Sequence, residues 1–394
     1  MGLKFIGKVA ALGLAATLLA SAAVRADEKP IIIGAAIALS GDIAPYDDGP
    51  AKAMELAIDD INKSGGLLGR QIKIIYSDTK SDIAYGSTAA QDVIDKGADM
   101  VVVTCDYDYG GAAATVADSK NLIAFSTCAG DPKFGPSGIG PNAFTMATGS
   151  PGQAALMAEW AYQKKGWKTA YVLLDTSIAF DASWAATFQK RWVELAGKDS
   201  FLGQDTFGGE DTSIASQITR IKALPKQPDL IVICSFPPQG PGAIRQLRAA
   251  GLNQPLLGSE SWDGDYWLEA VPDLSNMYIV TYGSIFGTDP RPEAQAFFKA
   301  FQDKFGTRPV TSHAMTGYGV IQAWTKAVTE AGTLDTDKVR DVLQSFKDVP
   351  TLVGPTSYTK DVHINMQRDM IVLGIQNGKH GNSEGVYRAQ EVPQ

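Results

Sequence analysis

Apolar residues in this chain come in short unbroken runs separated by longer amphipathic stretches, and that rhythm predicts its elements. PIIIGAAIAL (30–39), IKIIY (72–76), DMVVVT (99–104) and LIAFST (122–127) read as strands. Between them, segments 49–63, 84–96 and 110–119 space their apolar positions as helices do. The rhythm restarts after residue 150 with helix 151–164, strand TAYVLL (169–174), helix 180–196, strand DLIVIC (229–234) and helix 240–250. Strands PLLG (255–258) and MYIVTY (277–282) follow. Unbroken Val/Ile/Leu runs are expected where a parallel strand is covered by helices on both faces. Strand-helix alternation at this spacing predicts an α/β fold of doubly wound parallel sheets, and its repetition predicts two such lobes in tandem.

Three Gly/Pro-rich joints interrupt the pattern: ATGSPGQ (147–153), YGSIFGTDPRP (282–292) and LVGPTSYT (352–359). Helices predicted at 290–305 and 312–330 are too apolar to form a tail, so they are expected to return to the first lobe. The segment after 354, with MIVLGI (370–375), then crosses to the second. The expected division is 27–148 with 285–353 for lobe 1, and 149–284 with 354–394 for lobe 2. Three connections between two lobes imply a hinge and a cleft.

The first 26 residues fall outside this scheme. Lys4 and Lys8 precede the apolar run VAALGLAATLLASAA, which ends at Val24-Arg25-Ala26, a small-x-small site. This is the pattern of a secretory signal peptide cleaved after Ala26, with a retained anchor as the alternative. Its loss removes three basic residues and no acids, moving the formal charge from −8 to −11. An acidic chain with no Lys/Arg stripe is a poor partner for nucleic acid. The three cysteines are too few for a disulfide scaffold. Cys105 and Cys128 each close a strand-like run, and in an oxidising compartment they could pair if their strands are neighbours. Cys234, inside LIVICSF, reads as a small core residue.

Residues 31–82, IIIGAAIALSGDIAPYDDGPAKAMELAIDDINKSGGLLGRQIKIIYSDTKSD, carry a further signal. The strand, the Leu39-Ser40-Gly41 turn, Tyr46, a helix ending Asp59-Asp60-Ile61-Asn62 and the Gly65-Gly66-Leu67-Leu68-Gly69 turn stand in a recognisable order. Together with AIRQLRAAGLNQPLLGSE (243–260), they resemble the type I periplasmic solute-binding proteins of ABC importers, in the branch that binds branched-chain amino acids and amides. The resemblance spans essentially the whole mature chain. It implies a clamshell of two lobes joined by three crossovers, closing on a small molecule between them. It also implies a periplasmic location, a monomer, an ABC importer membrane permease as partner, and no cofactor.

The resemblance also points to ligand-binding residues, each just beyond a strand. Tyr46 matches an aromatic placed against the ligand, with packing as the plain alternative. Tyr107, Asp108 and Tyr109 stand beside Asp106 where amino-acid-binding relatives carry small hydroxyl residues that grip a carboxylate. Asp108 reads equally well as a helix cap. Cys128, Ala129 and Gly130 stand where relatives present backbone and a hydroxyl to the same carboxylate. Gly130 has no hydroxyl to offer, which leaves backbone N–H groups. For Cys105 and Cys128 a disulfide is the first reading and two buried thiols the second. Phe180 and Phe236 match aromatic positions of the second lobe, where relatives often have Tyr. Asp181 and Trp184 are further options at the rim, with Trp184 read first as packed along helix 180–196. Glu260 matches an acid that pairs with a ligand ammonium, and Trp262 beside it is placed to stack on an apolar or cationic group.

Acids and aromatics thus accumulate where the carboxylate grip of an amino-acid pocket is altered. Amino-acid-like ligands, amides, amines and aromatic acids all stay open on these residues. The expected ligand is a small polar or amphipathic molecule with a nitrogen-bearing end: amino-acid-like, an amide or an amine. The sequence shows no nucleophile elbow at a strand-to-helix junction, no H-E-x-x-H, no Walker A and no strand-linked G-x-G-x-x-G. No catalytic or metal-binding residue is therefore expected. A ligand sensor with the same clamshell is the alternative function, and an α/β enzyme a weaker one.

Overall fold

Ile31, Ile33, Ala35 and Ala36 are all fully buried, so the first apolar run is covered on both faces as its composition requires. A computed structural model describes residues 29–209 and 211–393; the predicted leader lies outside the described residues. The first run is β1 (Ile31–Ile37), followed by α1 (Ala44–Lys63), β2 (Ile72–Asp78) and α2 (Gly86–Asp95). Then come β3 (Met100–Val103), α3 (Tyr107–Ser119), β4 (Ala124–Ser126) and β5 (Ala143–Thr145). These strands form one parallel sheet in the order β2-β1-β3-β4-β5.

The second unit opens with α4 (Ser150–Gln163), β6 (Ala170–Asp175), α5 (Ala179–Ala196) and β7 (Phe201–Phe207). It continues through α6 (Ala215–Lys222), β8 (Leu230–Cys234), α7 (Gln239–Ala249), β9 (Leu256–Gly258) and β10 (Met277–Thr281). The chain then adds α8 (Pro292–Phe305), α9 (Ala314–Ala331), with α9 packed on α1, and α10 (Thr336–Gln344). A small hairpin of β11 (Val349–Thr351) and β12 (Gly354–Thr356) precedes β13 (Met370–Gln376) and β14 (Lys379–Tyr387). The second sheet runs β14-β13-β10-β9-β8-β6-β7.

Two details differ from the sequence reading. The second sheet is parallel only from β10 to β7: β13 lies antiparallel to β10, and β14 antiparallel to β13. Asn377 and Gly378 between them both hold positive φ, 50° and 66°, as a two-residue hairpin turn needs. β14 also contains the spelling Gly381-x-Ser383-x-Gly385, which lies in an edge hairpin and not at a strand-to-helix elbow. Secondly, α1 begins at Ala44 and not at 49, with Pro45 in its first turn and Pro50 inside it. Proline is tolerated where the first N–H groups have no helical partner, which accounts for Pro45, whereas Pro50 lies inside the helix. Tyr46 therefore projects from a helix first turn.

The chain passes between the sheets three times, and the passages are bound to each other. Thr148 pairs with Asn365, and the Gly149 N–H donates to the Asn365 carbonyl at 2.8 Å. The Thr148 N–H donates to the Tyr282 hydroxyl at 3.1 Å, tying in the middle passage. Arg368 donates to the carbonyls of Met146 and Ala147 and to Thr356 Oγ1. One apolar cluster runs without a break from Ile33 on the first sheet and Met54 on α1 to Trp184 on α5 and Val232 on the second sheet. Among the described residues no helix is long and apolar enough to cross a membrane.

Candidate functional site

Loops leaving the carboxyl ends of β1, β3 and β4 face loops leaving β6, β8 and β9, the position where open α/β sheets hold ligands. They enclose a cavity with a free volume of about 30 Å³. That is room for about two waters, so any larger molecule needs the lobes further apart. The first lobe supplies Ile43, Tyr46, Cys105, Asp106, Tyr109 and Cys128. Opposite them stand Ile178, Phe180, Phe236, Glu260 and Ser261, with His313 from the start of α9.

Cys105 and Cys128 form a disulfide with their Cα atoms 4.8 Å apart, joining the loops after neighbouring strands β3 and β4. The bridge fixes two walls of the cavity to each other. With a sequence separation of 23 residues, its loss should lower stability by about 3 kcal/mol. A Cys105→Ser, Cys128→Ser variant is expected to melt well below the parent in calorimetry. An unchanged Tm would contradict the role given to the bridge.

Asp106 sits at the floor with φ 83° and ψ 149°, a conformation that side chains rarely adopt. Its carboxylate caps α3, accepting from the Asp108 N–H at 2.7 Å and the Tyr109 N–H at 3.4 Å. Burial, then the charge of Asp108, pushes its carboxyl up to about 7. Across the cavity Glu260 is 3% exposed, and its Oε2 has no hydrogen-bond partner among the described residues. Burial raises it to about 8, against the pull of Gln153. Asp181, one residue beyond Phe180, is fully buried with neither carboxylate oxygen partnered. Burial and then the charges of Asp175, Asp106 and Glu260 hold it well above the usual carboxylate range.

These raised carboxyls have a thermodynamic consequence. An acid whose folded pKa lies above its unfolded value favours the folded state while protonated. The stability from Asp106 and Glu260 is therefore complete below about pH 4, and is lost as pH rises through about 7 and about 8. Each pH unit removes up to about 1.4 kcal/mol per fully buried group. Without added solute, Tm should fall between about pH 5 and about pH 8, and the fall should be shallower in Glu260→Gln. A Tm that rises with pH would contradict this electrostatic reading.

The two lobes touch directly at the cavity rim. Tyr46 donates its hydroxyl to the Ser261 carbonyl at 2.6 Å, and burial holds its pKa well above the usual phenol value. Asp108 does not line the cavity; its Oδ2 accepts the Ala179 N–H at 2.7 Å and so caps α5 from the other lobe. His313 stands edge-on to Tyr46 with ring centroids 5.4 Å apart. Burial lowers its pKa to about 4, so it is neutral and its 3.9 Å approach to Asp263 is no ion pair.

Seven of the predicted residues meet at the cavity: Tyr46, Cys105, Tyr109, Cys128, Phe180, Phe236 and Glu260. Five predicted ligand contacts stand elsewhere, Asp108 at the lobe contact among them. Tyr107 packs against the alanine-rich core of the first lobe, under the Lys133 ammonium. Ala129 is fully buried in that core, with its N–H given to Ser126 Oγ. Gly130 lies beneath Phe180, where a Cβ would come within 2.6 Å of the ring. Its glycine thus permits lobe contact. Trp262 points into the second-lobe core, donating to the Ile233 carbonyl and meeting Trp267 edge-on, so it cannot stack on a molecule in the cavity. Ile43, Ile178, Ser261 and His313 were not foreseen. The first three neighbour predicted loops, whereas His313 begins a helix with no strand before it.

Comparison with known proteins adds the family context. A family model described as "Periplasmic binding protein" matches residues 30–380. The Leu/Ile/Val-binding protein BraC3 of Rhizobium johnstonii is 24% identical over 349 residues, covering 88% of this chain and 92% of that protein. Among solved structures, the fold is similar to substrate-binding protein LivJ of Streptococcus pneumoniae in complex with isoleucine. The TM-score is 0.77 at 23% identity, over 91% of this chain and 100% of that one. It is also similar to an ABC transporter solute-binding protein from R. palustris in complex with benzoate. There the TM-score is 0.73 at 20% identity, over 92% of this chain and 99% of that one.

Proposed function

Because this chain belongs to the periplasmic binding protein family, we propose that it captures a small nitrogen-bearing solute between its lobes and delivers it to an ABC importer. It is a binding protein and not an enzyme. The observation that carries the ligand reading is Glu260, buried at the cavity wall with an oxygen that has no partner. A buried acceptor left unpaired is costly, and a donor on the solute relieves it. Tyr46, Tyr109, Phe180 and Phe236 supply the apolar and aromatic remainder of the wall.

In this reading residues 1–26 direct export, and the mature protein works outside the cytoplasm as a monomer. Residues 27–148 with 285–353 move as one body, and 149–284 with 354–394 as the other. The solute favours closure because it touches both lobes, so its affinity is greater for the closed form. Closure then presents a rim that the membrane permease recognises.

Isothermal titration against a panel of amines, amides and amino acids tests the ligand reading. Saturable binding of at least one nitrogen compound, one per chain, is expected. Binding restricted to carboxylic acids without nitrogen would sink it.

A further inference from the structure

We infer that the solute held in this cavity carries a cationic nitrogen and no carboxylate. The inference rests on the solute-binding reading and narrows its ligand class, setting this site apart from one for α-amino acids or aromatic acids.

The donors that would hold a carboxylate are already used by the chain itself. At the start of α3 the Asp108 and Tyr109 N–H groups point to Asp106 Oδ1, at 2.7 and 3.4 Å. The Cys105 N–H donates to Asp47 Oδ1 at 2.9 Å, and the Ala129 N–H to Ser126 Oγ at 3.0 Å, all within the first lobe. No Lys or Arg is found among the described residues lining the cavity. The built-in carboxylate of Asp106 thus occupies the start of α3, which would otherwise receive an anion. A solute carboxylate would also meet Asp106 on the wall, whose own negative charge repels it.

The unpaired acceptors ask for the opposite charge. Glu260 lines the cavity and its Oε2 is unpartnered, and Asp181, buried outside the lining, has two more unpartnered oxygens. The two carboxyls and Asp106 feel one another's charge. A neutral amide can donate hydrogen bonds here but leaves that repulsion in place. An ammonium both donates and neutralises, and the rings of Tyr46, Tyr109, Phe180 and Phe236 attract a cation through their faces. Asp106, which burial pushes up to about 7, is largely ionised at about pH 7.5. Glu260, which burial pushes up to about 8, largely holds its proton there until a cation arrives. Cation binding therefore releases protons.

Matched pairs separate the charge classes. Isothermal titration at about pH 7.5 would compare isobutylamine with valine and benzylamine with benzoate, with isobutyramide as the neutral arm. The expected result is at least tenfold tighter binding of each amine than of its carboxylate counterpart. The amine enthalpies should also change with the ionisation heat of the buffer. Valine or benzoate binding as tightly as its amine would overturn the inference. Valine or isobutyramide binding while neither amine binds overturns it too, but leaves the nitrogen-solute reading standing. Benzoate alone among the five overturns both, and silence from all five at millimolar concentration also counts against both.

Discussion

Replacing Glu260 with Gln is expected to weaken binding of an amine by about thirtyfold or more while the protein remains folded. Glu260 is 3% exposed, and its Oε2 makes no hydrogen bond among the described residues, with Gln153 and Tyr282 the donors nearest the carboxyl. Removing one partner of a buried hydrogen-bonded charge pair costs about 2 to 5 kcal/mol, or on the order of thirtyfold to several thousandfold in Kd. The amide keeps the shape but not the charge. The same change removes a buried carboxyl that burial raises to about 8, so stability near neutral pH should hold or increase. Titration calorimetry and thermal melting of one preparation read both effects. A loss of affinity below about threefold would remove Glu260 from the site.

Arg368→Met is expected to produce the largest loss of stability, at about 1 to 3 kcal/mol for each buried acceptor left unpaired. Arg368 is 1% exposed and makes no salt bridge among the described residues. Its guanidinium is instead surrounded by the carbonyls of Met146, Ala147 and Pro355 and by Thr356 Oγ1. Burial lowers its pKa, which shows how much of its hydration has been lost. Methionine fills similar volume but leaves these acceptors without their donor where the first and third passages meet. Urea denaturation should show a lower midpoint, and closure should weaken because the passages no longer move together. A variant within about 1 kcal/mol of the parent would show that the guanidinium is not what joins them.

Much of this architecture is legible in the sequence, for a physical reason. β1, β3, β8 and β10 are buried on both faces, so their residues form unbroken apolar runs. β5 has only three residues, too short to carry a period. β7 lies at a sheet edge and mixes polar residues into FLGQDTF. β14 is the opposite edge, and its KHGNSEGVY has no apolar run at all. A signal for its hairpin was nevertheless present in Asn377-Gly378, a pair suited to the positive φ of a tight turn.

The site was legible where the fold dictates it. Phe180, Phe236 and Glu260 follow strand ends, and strand ends of both sheets meet at the cleft. Trp262 shows the limit of that rule. The 3₁₀ turn Glu260–Trp262 sends Glu260 to the cavity and Trp262, two residues on, into the second-lobe core. Position beyond a strand gives the neighbourhood, whereas the local turn decides the direction. Asp106 and Asp108 were visible as acids, but their partners were not. That Asp108 reaches across to the start of α5 depends on lobe contact, which no local pattern encodes.

A crystal structure of the protein with the tightest-binding amine tests the central claim most directly. The expected result is an ammonium nitrogen within about 3 Å of Glu260 Oε2, between the Tyr46 and Phe180 walls. An amine bound outside the cleft, or with its nitrogen turned away from Glu260, would contradict it.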